Sequence, residues 1–194
     1  MRLNWVGLAA VSLLGVAPQA RAAATTYVLD QDRTTLHFTG RAMGHRFTGT
    51  ARAVQATLVF YPERAGLAQP AEILVQVAAM ETGNAARDRD MRAMFDADRY
   101  PTIRCVVTKI ELLTPTPAET TRYRLEGRLR IRSIERPFSV EAAASVSPDG
   151  IEASGRVPLS LADFDLAPPR LMLGLVRVHS NVRVTFTSRW TRQP

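Results

Sequence analysis

Cys105 is the only cysteine in the 194-residue chain, so no internal disulfide can staple the fold and stability must come from a packed core. It stands between Ile103 and Val107 in an apolar extended run, the position of a buried thiol acting as a small hydrophobe. No neighbouring base activates it as a nucleophile. Histidine is equally scarce. His37, His45 and His179 are scattered and never approach metal-ligand spacing, and His37 and His179 fall in the polar phase of their strands. The chain also lacks Gly-x-Ser-x-Gly, His-Glu-x-x-His and any glycine loop fit to cradle phosphate. Asp88 and Asp90 form a close acidic pair, but two positions on a helix point roughly 200° apart. Arg87, Arg89 and Arg92 offer them surface partners. We therefore expect no catalytic residue, no metal and no cofactor.

Long apolar runs are missing except at the start. Leu3 to Val16 is mostly apolar, yet its core from Val6 is far short of the roughly 20 residues that span a bilayer. The flanks Met1-Arg2, Pro18 and Ala20-Arg21-Ala22 have the order of an export signal. This predicts a signal peptide over residues 1–22 and one domain over 23–194. Arg2 and Arg21 contribute two of the formal charges in the net +7, so the remaining domain is only moderately basic.

What is present is alternation with a period of two. In the run Arg122 to Arg132, Tyr123, Leu125, Leu129 and Ile131 share one face, while five arginines and Glu126 share the other. Phe138, Val140, Ala142, Ala144 and Val146 repeat the pattern. Pro148-Asp149-Gly150 turns the chain, and Ile151, Ala153, Gly155, Val157 and Leu159 resume it as a hairpin. A long closing strand is expected from Val176 through Phe186. Earlier come Leu36–Gly40, a run with Ala56, Leu58 and Phe60 on one face, a Pro62–Pro70 connection, Ile73–Ala79 and Ile103–Leu113. Pro115 and Pro117 mark a loop. Strands this long expose costly edges unless they close, so the pattern predicts an all-β antiparallel barrel.

One segment breaks the period. Residues 84–95 are rich in helix formers and contain no β-branched side chain. Asn84 can cap the start, and Asp96 to Pro101 ends the helix. Met91, Met94 and Phe95 fall at helical spacing and could rest on the barrel. Inward candidates on the strands are Leu58, Phe60, Tyr123, Leu125, Phe138 and Phe186, interrupted by alanine and glycine. Small inward residues either taper a filled barrel or leave a lumen for an apolar molecule. His45, in the turn Met43 to Phe47, is a candidate contact at the mouth. The arginine stripe is either a solvated wall or a face for anionic lipid headgroups or an acidic partner. It lacks the interleaved aromatics of a nucleic-acid binder, and no nucleic acid is expected.

Several short motifs in a fixed order resemble the YceI-like family of exported proteins over residues 27–190. They are Tyr27-Val28-Leu29-Asp30 with Thr35-Leu36-His37-Phe38, and Gly49 through Leu58-x-Phe60. Arg87-Asp88 with Met91, Phe95-Asp96 and Tyr100-Pro101-Thr102-Ile103 follow. Tyr123-x-Leu125-x-Gly127-x-Leu129-x-Ile131, Arg136-Pro137 and Asp163-Phe164 complete the set. The resemblance implies an extended, eight-stranded, lipocalin-like barrel in the periplasm that encloses polyisoprenoid or quinone-like chains. It adds Phe38, Phe47 and Phe164 to the lining candidates. The sequence departs from the family at Ala42 and Asp90, where histidines are usual, and at Ala51, Ala56, Ser133 and Asp165.

The expectation is non-catalytic binding, storage or transport of a long apolar lipid, with transient membrane-surface contact. The rival is a stress-response or interaction module with a filled barrel and the arginine stripe as its docking face. An enzyme acting on a hydrophobic substrate would need a convergent polar cluster that the sequence does not offer. A homodimer could form if an outward strand, such as the one ending at Trp190, paired with a second copy.

Overall fold

Alternating residues set the architecture. A computed structural model describes residues 23–42, 45–52, 54–61, 66–113, 120–168, 170–171, 176–177 and 179–193. The expected export signal, Met43-Gly44 and the loop holding Pro115 and Pro117 lie outside the described residues. In chain order the elements are β1 (Thr25–Ala42), β2 (His45–Ala51), β3 (Val54–Tyr61), β4 (Gly66–Leu67), β5 (Ala71–Gln76), β6 (Met80–Glu81), α1 (Ala85–Phe95) and β7 (Thr102–Leu112). Then follow β8 (Thr121–Ile131), β9 (Ile134–Ser147), β10 (Gly150–Ser160), β11 (Arg170–Leu171), β12 (Val176–Arg177) and β13 (Asn181–Arg192).

Eight of these strands close a ring, β1-β3-β5-β7-β8-β9-β10-β13, every neighbouring pair antiparallel. Closure is made where Thr25 to Val28 of β1 pairs with Phe60 to Thr57 of β3. The upper half of β1, Leu36 to Ala42, pairs instead with β2, so β2 and β3 share one place in the wall. The core is the inside of the ring, with Tyr27, Phe60, Val107, Ile131 and Trp190 all buried. The outside is charged. That polarity is the reverse of a membrane-spanning barrel, which turns an apolar band outwards.

Three irregularities shape the tube. Asp30 Oδ1 accepts the amides of Asp32 and Arg33, both at 3.1 Å, and the β1–β13 register shifts between Asp30 and Thr35. Even-numbered residues of β1 therefore face inward above the bulge and odd-numbered ones below it. A second bulge between Val107 and Lys109 sits opposite Gly127, where a Cβ would lie 2.0 Å from the Val106 carbonyl oxygen. Only glycine fits there.

The third is a seam. The β9–β10 ladder ends at Ala142 opposite Gly155. Beyond it, β9 pairs only with β8 and β10 only with β13. Pro137 and Pro158 stand in the separated segments, and neither has an N–H to donate across the gap. The short 3-10 turn Leu161–Phe164 fills the opening, held by Arg136 Nε donating to the Asp163 carbonyl at 3.0 Å.

The structure redraws several expected boundaries. The strand expected from Ile73 to Ala79 stops at Gln76. Val77–Ala79 is a 3-10 turn whose first amide donates to the Pro101 carbonyl at 2.9 Å, with Val77 only 1% exposed. The closing strand begins at Asn181, not Val176, because Val176–Arg177 turns aside to pair with β11. Part of the Pro62–Pro70 connection is the short strand β4. β13 is paired on both sides, with β1 and β10, so the strand ending at Trp190 has no free edge for a second copy.

Candidate functional site

The ring encloses a cavity of about 700 Å³, within the range of small-molecule sites. A filled barrel, on which the docking-module reading depended, is not what these side chains build. They leave the space because alanines face each other across β9 and β10 (Ala144 opposite Ala153), and because Gly127 and Gly155 contribute no side chain. Phe138 and Phe186 lean over those two glycines, within 3.0 Å of where a Cβ would be.

Eleven of the thirteen expected ligand contacts line this space. Phe38, Leu58 and Phe60 come from β1 and β3, and Phe47 from β2. Tyr123 and Leu125 come from β8, with Phe138 from β9 and Phe186 from β13. Met91, Met94 and Phe95 come from α1. The other two stand apart. His45 is exposed at the start of β2; it shares the phase of Phe47 and stands opposite Ala42, but sits at the end of the strand, beyond the lumen lining. Phe164 is 3% exposed but packs beneath the 3-10 turn that fills the seam, outside the lumen lining.

The helix partly roofs one end of the tube. Asn84 Oδ1 accepts the Arg87 amide at 3.0 Å and caps it. Asp96, in the left-handed region at φ 51°, ends it. Asp88 is not the surface charge its neighbours suggested. It is buried, and its Oδ1 accepts both the amide of Thr82 at 2.8 Å and its hydroxyl at 2.6 Å. Those bonds tie the helix to the segment after β6 and turn Met91 and Phe95 inward.

Polar groups reach the cavity mainly at this end. Thr82, Asn84, Arg87 and Asp90 join the lining beside Ala42, and Asn84 and Ala86 are exposed there. This is the mouth. Arg87 lies over the Phe47 ring, 5.1 Å from its centre, a cation–π contact at the rim. Sequence pattern alone missed this constellation, since β6 and α1 meet only in the folded chain. The far end is stopped by Phe60, Ile151 and Trp190. Trp190 Nε1 donates to Ser188 Oγ at 3.0 Å and Ser188 Oγ to the Ala153 carbonyl at 3.2 Å, so the buried polar atoms are satisfied.

The interior is chemically quiet. Cys105 lines the lumen, and burial pushes its thiol up to about 12, well away from nucleophilic use. Burial likewise raises the Tyr123 phenol, its largest influence. Among the described residues there is no cluster of three His, Cys, Asp or Glu able to hold a metal, and no nucleophile–base pair meets in the lumen. What such a surface can do is exclude water and accept hydrocarbon.

Three arginines of the β8 stripe prove to be paired. Arg122 bonds Glu141, Arg124 is 4.0 Å from Glu111 and Arg128 is 3.6 Å from Glu135. Lys109 lies between Glu111 at 3.1 Å and Glu126 at 3.8 Å, and Arg104 bonds Glu72. The bonded guanidinium holds the Glu72 carboxyl below its ordinary range. Cross-strand carboxylates thus neutralise most of the stripe expected to act as a basic face.

The model for the YceI-like domain matches residues 27–189. BcnA from Burkholderia cenocepacia superposes with a TM-score of 0.70 at 18% identity, over 83% of this chain and 98% of its own. A polyisoprenoid binding domain from Saccharophagus degradans implicated in plant cell wall breakdown gives 0.72 at 16% identity, over 87% and 99%. The YceI protein of Campylobacter jejuni gives 0.60 at 17% identity, over 75% and 84%. At these identities the likeness is one of fold. No curated protein matches the chain.

Proposed function

The chain belongs to the YceI-like family, and from that premise we propose that it binds a long apolar lipid, a polyisoprenoid or quinone-like molecule, and stores or carries it unchanged. The observation that carries this reading is the closed ring around about 700 Å³ of space lined almost wholly by apolar side chains. Each methylene moved from water into it contributes about 0.8 kcal/mol, so ten contribute about 8 kcal/mol before the cost of ordering the chain. Hydrocarbon alone thus supplies useful affinity. The polyisoprenoid binding domain of Saccharophagus degradans, which shares the fold, supports the ligand class.

In this reading the tail lies along the tube towards Trp190, while a polar end stays at the mouth beside Arg87, Asp90 and Asn84. One chain encloses the ligand, so a second copy is not needed for binding. The family is an exported one, and the periplasm is where such a carrier works, exchanging its cargo during brief contacts with a membrane surface. Gentle purification followed by native mass spectrometry and organic extraction tests the proposal. A co-purifying isoprenoid-type lipid at about one per chain is expected, and protein that is consistently free of lipid overturns it.

A further inference from the structure

Charge on the outside of the barrel is distributed unevenly, and the uneven part lies beside the mouth. On β7 and β8 most cations meet a carboxylate: Arg104, Lys109, Arg122, Arg124 and Arg128 are in ion pairs, whereas the exposed Arg130 and, on β9, Arg136 bond backbone carbonyls instead. In the lower half of β10, β13 and β1, Glu152 accepts Arg189 at 2.7 Å and stands 3.8 Å from Arg33, although Arg192 at the end of β13 is in no ion pair among the described residues. The mouth half of that same wall has no ion pair among the described residues. Arg41, Arg46, Arg156 and Arg183 are all exposed, and none of the ion pairs among the described residues includes them.

The register brings the four together. Arg41 is directly opposite Arg46, Arg183 is opposite Thr39, and Arg156 lies two positions before Pro158, the partner of Arg183. Alternation puts all four outward, because Phe38, Phe47, Val157 and Val184 take the inward phase. Three strand spacings of about 4.8 Å separate β2 from β10, giving a patch on the order of 15 Å wide. The segments Thr35 to Ala42, His45 to Ala51, Ser154 to Ser160 and Asn181 to Thr187 contain no aspartate or glutamate. Two arginines placed directly across a ladder repel one another, and neither is in an ion pair with a carboxylate among the described residues. A counter-charge from outside would relieve them.

We propose that this face docks on the surface of an anionic phospholipid bilayer. A bilayer, rather than an acidic protein, fits the setting. The patch adjoins the mouth of a lumen whose contents are insoluble in water, and Arg156 begins the segment of β10 that has parted from β9, so both openings lie at the patch's margin. Four arginines near an anionic surface contribute roughly a fivefold gain each, enough for contact that forms and releases. The inference rests on the lipid-carrier reading and adds to it the face on which cargo is exchanged. It also moves the docking role from the carboxylate-paired stripe of β8 to a wall that lacks carboxylates.

The test is flotation of the full domain with vesicles of phosphatidylcholine alone and with 30% phosphatidylglycerol, at low salt and at 0.5 M NaCl, where the Debye length falls to about 4 Å. Binding only to the anionic vesicles at low salt is expected, with a loss of a hundredfold or more in R41Q/R46Q/R156Q/R183Q. The control R124Q/R128Q, on the paired stripe, should stay within about threefold of the parent. Background binding of the parent to anionic vesicles overturns the proposal, and is also the result expected if the true partner is an acidic protein. Equal loss in the control overturns it as well. Circular dichroism and native mass spectrometry of the quadruple variant show whether it is folded and still loaded. Parent protein that carries lipid but ignores vesicles defeats only the docking face. Parent protein that binds vesicles yet never holds lipid defeats only the carrier reading.

Discussion

Asp88 and Thr82 are joined by two hydrogen bonds, at 2.8 Å from the threonine amide and 2.6 Å from its hydroxyl, with Asp88 only 8% exposed. That pair hinges the helix to the barrel and fixes how Met91, Met94 and Phe95 roof the lumen. Removing the carboxylate leaves a buried amide and hydroxyl without acceptors, at a cost of about 2–3 kcal/mol. Asp88→Ala should lower the melting temperature and speed hydrogen exchange through residues 85–95 while the strands stay protected. Unchanged exchange in the helix would show that the roof is held by packing alone.

Leu125 and Arg124 are neighbours on opposite sides of the same wall. Leu125→Arg places an unpaired charge in an apolar lumen, a penalty of several kcal/mol and comparable to the stability of a whole domain. It should unfold the protein or empty it. Arg124→Leu forfeits only a partly exposed contact of 4.0 Å to Glu111, worth less than about 1 kcal/mol. Melting temperature and bound-lipid stoichiometry check the contrast, and equal tolerance would refute the assigned facing.

Ala144 and Ala153 oppose each other in the deeper part of the tube. Ala153→Trp should fill that part with side chain, leaving a folded barrel that retains less than a tenth of the parent's lipid. Full retention, read by extraction and mass spectrometry, would mean the tail does not extend past the middle of the lumen.

Cys105 holds its proton to about pH 12 in the folded chain. An ordinary thiol near 9 is about a tenth ionised at pH 8, whereas this one is ionised about once in ten thousand, so alkylation by iodoacetamide should be about a thousandfold slower than in the unfolded protein. The linkage has a definite sign. Between pH 9 and 12 the unfolded chain gives up a proton that the folded chain keeps, so this group's contribution makes stability fall as pH rises through that window. Denaturant titrations of the parent and Cys105→Ala at pH 8 and 10 check it, the variant losing less over the interval.

Much of the architecture was legible from residues two apart. Tyr123, Leu125, Phe138 and Phe186 face the lumen as their alternation required, because a strand offers only two sides and water sorts them. The helix was equally plain, from Asn84 as a cap and a run without β-branched residues. Aromatic character could not tell that Phe164 sits in the seam, and alternation, which puts His45 in the same phase as Phe47, could not tell that the lining stops short of it. Asp88 looked like surface charge because its partner, Thr82, becomes relevant only when β6 and the helix pack.

Local pattern by itself determined that the chain makes antiparallel strands with an apolar and a charged face, and that a helix interrupts them between residues 84 and 95. Both follow from side-chain type and spacing, which need no knowledge of neighbours. Tertiary structure alone decided that the ring stays hollow, that Glu141, Glu111 and Glu135 pair with three arginines of β8, and that Arg41 and Arg46 confront each other without an ion-pair partner among the described residues. Those outcomes depend on register between distant segments. A shift of one residue would exchange every partner while leaving each strand's own alternation intact.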